Sequence, residues 1–249
     1  MSCPTEFENK KTIPIVHLLF VALVVIVLTA GFVAIVFKSF LHFKDWEDIY
    51  FLFIEFLLGC ALFYFLKITG IYPLFYLKTW LREKRKHLIA GFKYFFIYFV
   101  SLVLLVVVVT TIALLLGKIG IPAPDANSKL FGIANQNKQI IYLNTVLLTS
   151  VPRFALYLFR VCVLAPIIEE IFYRRLLFVG LRKKFNFVPS LLISSLLFGA
   201  MHAGIVQVFV EGAYLGYVYE KEKNLPANIL LHSLTNLLSI IIMILLWQS

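Results

Sequence analysis

Three short motifs hold the residues that could do chemistry. They are EEIFYR (Glu169–Arg174), FGAMH (Phe198–His202) and HSLTN (His232–Asn236). In the first, Glu170 and Arg174 are four residues apart, so on a helix they share a face and can pair. Glu169 is turned about 100° away and lacks that partner. An uncompensated carboxylate in apolar surroundings is a group that can take a proton from water near neutral pH. In the third motif, His232 and Asn236 also share a helix face, and two donors aimed at one point are what an oxyanion needs. Each motif has a plainer reading. Glu169 and Glu170 could stitch helices together, His202 could bond a backbone carbonyl, and His232 and Asn236 could bond across helices.

The surroundings of these motifs raise their significance. Of 249 residues, 61% are hydrophobic and only 14% are charged, against nearly half and a quarter in a soluble domain. This is the composition of an all-α, polytopic helical membrane bundle. Apolar runs lie at 13–37, 49–66, 94–116, 155–180, 188–203, 205–220 and 225–247. They suggest about seven transmembrane helices, within a range of six to eight, where a crossing takes about 20 residues. The first run is too long for a signal-peptide core and reads as an uncleaved span. A short amphipathic helix is expected at 139–151 on the outer interface, with Pro152 and Arg153 interrupting the run before one further span.

Basic residues orient the spans. Arg82–Lys86, Arg182–Lys184 and Glu220–Lys223 all fall on one side if the N-terminus is cytoplasmic, and the 117–138 loop then faces outward. The same bias explains the net charge of +10, so no nucleic-acid partner is expected. Cys3, Cys60 and Cys162 are widely spaced, show no metal-type pattern and read as packing residues. The chain divides into N-terminal spans and loops (1–140) and a core that carries the motifs (141–249).

A buried charge costs roughly 2.5–3.5 kcal/mol on insertion scales, and such residues face a bundle interior or a water cavity rather than lipid. Three expected spans carry them. A base, a second acid–base group and a donor pair, meeting between the C-terminal spans, form a set suited to hydrolysis. Glu55 has no evident role. Glu211 is a candidate neighbour of the site, and Gly212 with Gly216 reads as a close helix contact. His17 and His87 read as structural or solvated.

The order EExxxR, FxxxH, HxxxN resembles the CPBP family of intramembrane proteases, also called the CAAX protease and bacteriocin-processing (Abi) family, which includes the type II CAAX prenyl endopeptidases. The resemblance covers about 155–240. It implies an endopeptidase that cleaves a membrane-associated peptide or protein, of CAAX or leader type, with Glu169 activating water. His202 would assist, His232 and Asn236 would hold the oxyanion, and Glu170 and Arg174 would support the site. No cofactor is implied. The rival enzyme is a zinc protease with Glu169, His202 and His232 as ligands, although no HExxH is present. A serine protease built on Ser194 or Ser195 lacks its other signature residues. A non-catalytic immunity or scaffold role in the same family is the further alternative. The expected location is a prokaryotic plasma membrane.

Overall fold

The computed structural model describes residues 47–68, 80–118, 140–202 and 205–247, with isolated residues at 14, 27 and 31. Among the described residues, six longer helices form the bundle: α1 (Glu47–Ile68), α2 (Lys84–Lys118), α3 (Val151–Arg182), α4 (Phe187–Ala200), α5 (Ile205–Glu222) and α6 (Leu225–Trp247). No strand occurs among the described residues. Lipid offers no partners for backbone N–H and C=O groups, so an apolar chain there must satisfy them within helices. The expected span at 13–37, His17 and Cys3 lie outside the described residues.

Helices α2, α3 and α6 are each long and apolar enough to cross a membrane. The most apolar stretch of α2 buries none of its residues inside the protein, and Val106, Val107 and Leu114 are widely exposed along it. Its N-terminal part is different. There Gly91 lets Leu230 of α6 approach, and Tyr94 joins Leu215, Val218 and Leu231 in a core. Helix α4 has only 14 residues, about 21 Å at 1.5 Å per residue, less than the roughly 30 Å hydrocarbon core. It is half of a tight hairpin with α5.

Contacts fix the helix directions. Glu55 meets Arg160 while Leu62 and Leu66 meet the Ile168–Leu177 region, so α1 runs parallel to α3. Tyr173 meets Ser194 and Phe198 while Phe178 meets Phe187, so α4 runs back along α3. Leu191 and Ser195 face Gly216 and Gly212, which makes α5 antiparallel to α4. Leu215 meets Asn228 and Glu211 meets Thr235, so α6 opposes α5. The bond from His87 to Asn224 and the Gly91–Leu230 contact make α2 parallel to α6. These directions are those of helices that alternate along the chain.

The alternation gathers the three basic stretches at one end. Arg182 pairs with Glu220 at 3.1 Å, Lys223 with Glu220 at 2.7 Å, and His87 Nδ1 donates to Asn224 Oδ1 at 2.7 Å. His87 is thus a buried structural residue. Asn224 Oδ1 also accepts the Ala227 N–H and caps α6. Lys223, at φ 50°, makes the left-handed turn that ends α5.

The expected short helix and the break before one further span are both present near residue 150. The chain is helical over 140–147 and ends in a π turn, Leu143–Leu147, with Leu143 buried against Ile240 of α6. Ser150 is extended, and Pro152 then lies in the first turn of α3. A proline there loses no hydrogen bond, so it opens α3 just after the break in the run.

The reading of Gly212 and Gly216 as a close helix contact holds. A Cβ at Gly212 would come within 2.9 Å of the Phe198 ring, and one at Gly216 within 2.6 Å of Leu191. Gly199 is tighter in kind, since its Cβ would sit 2.8 Å from the Ile205 carbonyl oxygen and 3.1 Å from the Phe209 nitrogen. Backbone atoms in a hairpin have little room to retreat. Gly199→Ala is therefore expected to destabilise the protein by about 1–3 kcal/mol, the usual penalty of overpacking. Gly117→Ala, which meets nothing within 4 Å, should be neutral or slightly stabilising. Thermal unfolding of the two variants in the same detergent makes the comparison.

Candidate active site

The site is built around α3. This helix is α-helical at Ala165–Glu170, between π-helical stretches at Arg160–Leu164 and Ile171–Phe178. Each π stretch adds width to a turn and rotates the residues beyond it, and such insertions often occur at functional sites. The α-helical turn between them, APIIEE, carries both glutamates.

Glu170 and Arg174 are both fully buried and pair at 3.1 Å through Arg174 Nε and Glu170 Oε2. Asn228 Nδ2 donates to the same oxygen at 2.5 Å, and His232 Nδ1 donates to Oε1 at 3.0 Å. The carboxylate is thus held by an arginine, an amide and an imidazole from two helices. The Arg174 guanidinium lies over the Phe198 ring at 5.2 Å, while its Nη1 and Nη2 find no hydrogen-bond acceptor. A desolvated cation gains from an aromatic face in such a place. Gly216 of α5 lies beside it, and a Cβ there would stand in ordinary contact, 3.6 Å from Arg174 Nη1.

Glu169 points elsewhere, as a rotation of about 100° requires. Its side chain is 25% exposed, and it stands between two imidazoles: His202 Nε2 is 3.7 Å from Oε1, and His232 Nε2 is 3.7 Å from Oε2. These separations exceed a direct hydrogen bond. The tautomer of His202 is set by its other nitrogen. Nδ1 lies 2.7 Å from the Phe198 carbonyl, which can only accept, so Nδ1 carries the proton. A neutral His202 then turns a lone pair at Nε2 toward Glu169. The plain and the chemical readings of this histidine are both realised, one at each nitrogen. His232 donates to Glu170 through Nδ1, and its Nε2 can carry a second proton.

The structure therefore brings together Glu169, Glu170, Arg174, His202 and His232 from three helices. Asn236 is placed differently. Its Nδ2 donates at 2.8 Å to the carbonyl of Val161 in the first π stretch of α3. Glu211 accepts from Thr235 Oγ1 at 2.5 Å and so meets α6 one turn from His232. Glu55 pairs with Arg160 at 3.1 Å and ties α1 to α3. Ser194 donates to the Tyr173 carbonyl, and Ser195 is fully buried against α5. Asn228 was missed in the sequence, although Asn228, His232 and Asn236 recur every four residues and so form one stripe on α6.

Glu169, His202 and His232 have the chemistry of zinc ligands. Among the described residues, however, no group of three His, Cys, Asp or Glu side chains is placed to hold a metal ion.

The two glutamates should respond differently to mutation. Glu170→Ala would leave Arg174 buried without its counter-charge, and removing one partner of a buried pair costs about 3–5 kcal/mol. Glu169→Gln removes a partly exposed charge with no close donor and should change stability by less than about 1 kcal/mol. Unfolding midpoints of both variants in detergent or lipid nanodiscs would measure the difference.

Comparison with known proteins bears on this same region. A curated relative from Bacillus subtilis (strain 168), described as "Putative membrane peptidase YdiL", is 27% identical over 110 residues, 43% of each chain. The similarity thus spans less than half of that protein. No solved structure matches. Residues 151–238 match the family model described as "Type II CAAX prenyl endopeptidase Rce1-like". This stretch runs from the start of α3 into α6 and contains Glu169, Glu170, Arg174, His202, His232 and Asn236, so it covers the region in which the three motifs lie.

Proposed function

We propose that this membrane protein is an endopeptidase that hydrolyses a peptide bond in a membrane-associated peptide or protein. The observation that carries the reading is the position of Glu169. It is a partly exposed carboxylate with an imidazole nitrogen 3.7 Å from each oxygen, beside a carboxylate that is sealed and neutralised. The similarity to a prenyl endopeptidase family and to a membrane peptidase supports the same reaction class.

The geometry suggests the chemistry. A water held between Glu169 and His202 gives its proton to Glu169 as its oxygen attacks the scissile carbonyl. The carbonyl oxygen becomes an oxyanion. His232, doubly protonated with Glu170 accepting at Nδ1, presents Nε2–H to it. When the tetrahedral intermediate collapses, the carbon–nitrogen bond breaks and the proton on Glu169 passes to the leaving amine. Water is consumed, and one carboxyl and one amino terminus are released. Glu170 and Arg174 hold His232 and do not touch the substrate.

In this reading no metal is required, and the site is a glutamate-activated one. Lipid surrounds the helices and the substrate reaches Glu169 from the bilayer or its edge, so substrates of CAAX and leader type both fit.

Cleavage of a fluorogenic peptide library by the purified protein in detergent tests this. Glu169→Gln should lower the rate by about 10²–10⁴-fold, the usual contribution of a positioned base, with the fold intact. Chelator should leave wild-type cleavage unchanged. Loss of activity to chelator, restored by zinc, would replace the glutamate mechanism with a metal one. A Glu169→Gln protein that cleaves like wild type would sink both. A folded protein that binds membrane peptides without cleaving any would favour an immunity or scaffold role.

A further inference from the structure

The bond made by Asn236 points to a specific task. In the first π stretch, the Ala165 N–H turns back to the Arg160 carbonyl, five residues earlier. In α-helical geometry that N–H would have served Val161. The next amide along the π register is residue 166, which is proline and has no N–H. The Val161 carbonyl therefore loses both of its backbone partners. A carbonyl left open in an apolar interior costs about 1–3 kcal/mol, and in lipid no bulk water can serve it. Asn236 Nδ2 fills the gap at 2.8 Å, reaching from α6.

The same short stretch is held from a second side. Arg160, its first residue, pairs at 3.1 Å with Glu55 of α1. One turn beyond the clamped stretch, the helix returns to α geometry and presents Glu169 and Glu170. A π insertion rotates everything after it by about one residue, or about 100°. If the insertion relaxed, Glu169 would swing away from His202 and His232.

We infer that Asn236 is a positioning residue, which caps the Val161 carbonyl orphaned by the π turn and Pro166 and so fixes the rotation that aims Glu169 at the two histidines. This assigns it a role other than holding the oxyanion. The inference rests on the proposed peptidase reaction for its catalytic consequence, but the cap itself does not.

A double-mutant cycle between Asn236 and Pro166 tests it, read by both activity and unfolding. Pro166→Ala restores an N–H that can bond Val161 in the π register, which makes the cap redundant. In the wild-type background, Asn236→Ala should lower kcat by about 10-fold or more with little change in KM, and lower the unfolding midpoint. In the Pro166→Ala background the same change should cost less than about 3-fold, and the midpoint should scarcely move, since groups that share a partner do not add. If folded Asn236→Ala protein is obtained only in the Pro166→Ala background, the coupling is shown outright. Equal losses in both backgrounds, or no folded protein in either, would overturn the inference. Coupling in the midpoint with an undiminished loss of kcat would also overturn it, because Asn236 would then act on the substrate directly. If the wild type cleaves nothing under any condition, the peptidase reading fails, and the unfolding cycle still decides whether Asn236 is the cap.

Discussion

The buried charge of Glu170 is the constraint on which the rest of the structure depends. A carboxylate sealed between apolar helices is tolerable only when its lone pairs are filled, and here they are filled by Arg174, Asn228 and His232. Each partner makes a demand of its own. Arg174 needs a surface for its flat guanidinium, which Phe198 of α4 supplies. It also comes up against α5 beside Gly216. Asn228 is shared with the Leu215 carbonyl of α5. One charge therefore specifies how α3, α4, α5 and α6 meet. Apolar side chains alone would not, because lipid tails are as favourable a neighbour as leucine and supply no hydrophobic drive between helices.

Adjacent carboxylates then divide the work by rotation alone. Glu170 spends its charge on the architecture. Glu169, the residue before it, is turned away from that pair and stays partly exposed. Between it and each histidine there is a gap too wide for a direct hydrogen bond. A carboxylate already satisfied by arginine would be a poor base, since its lone pairs would be occupied. The sealed pair thus does two things for the open residue. It anchors His232 in the orientation that faces Glu169, and it keeps Arg174 away from Glu169.

Much of this was legible in the sequence, and the limits have physical causes. The i, i+4 spacing of Glu170 and Arg174 is enough to predict their pairing, because a helix in lipid is nearly obligatory and its geometry is known. The helical class and the clustering of basic loops follow from composition in the same way. The Glu55–Arg160 pair could not be read, since its partners are 105 residues apart and nothing local links them. Asn228 lay within a readable stripe but outside the motif that drew attention. The π stretches were hidden for a deeper reason. They arise from a shift of hydrogen-bond register that leaves no periodic trace in a run of apolar residues. Pro166 is a trace of a kind, since a proline inside a long span must leave some carbonyl open. Its partner Asn236 lies far along the chain, on α6, and could be matched to it only in space.

That pairing shows how a polar site can be built on helices in a membrane at all. A regular helix offers the site no freedom, because every turn repeats the last and every backbone group is already bonded. Breaking the ladder provides freedom but leaves open carbonyls in a medium without water. The protein resolves the conflict with side chains from neighbouring helices. Asn236 closes the gap at Val161, and Ser194 donates to the Tyr173 carbonyl in the second π stretch. Around the glutamates, irregular backbone is confined to the two stretches that flank them and is repaired by polar groups reaching across. The polar residues of this site thus fall into two kinds. Some repair the backbone or neutralise one another, while Glu169 and His202 keep a quarter to a third of their side chains exposed.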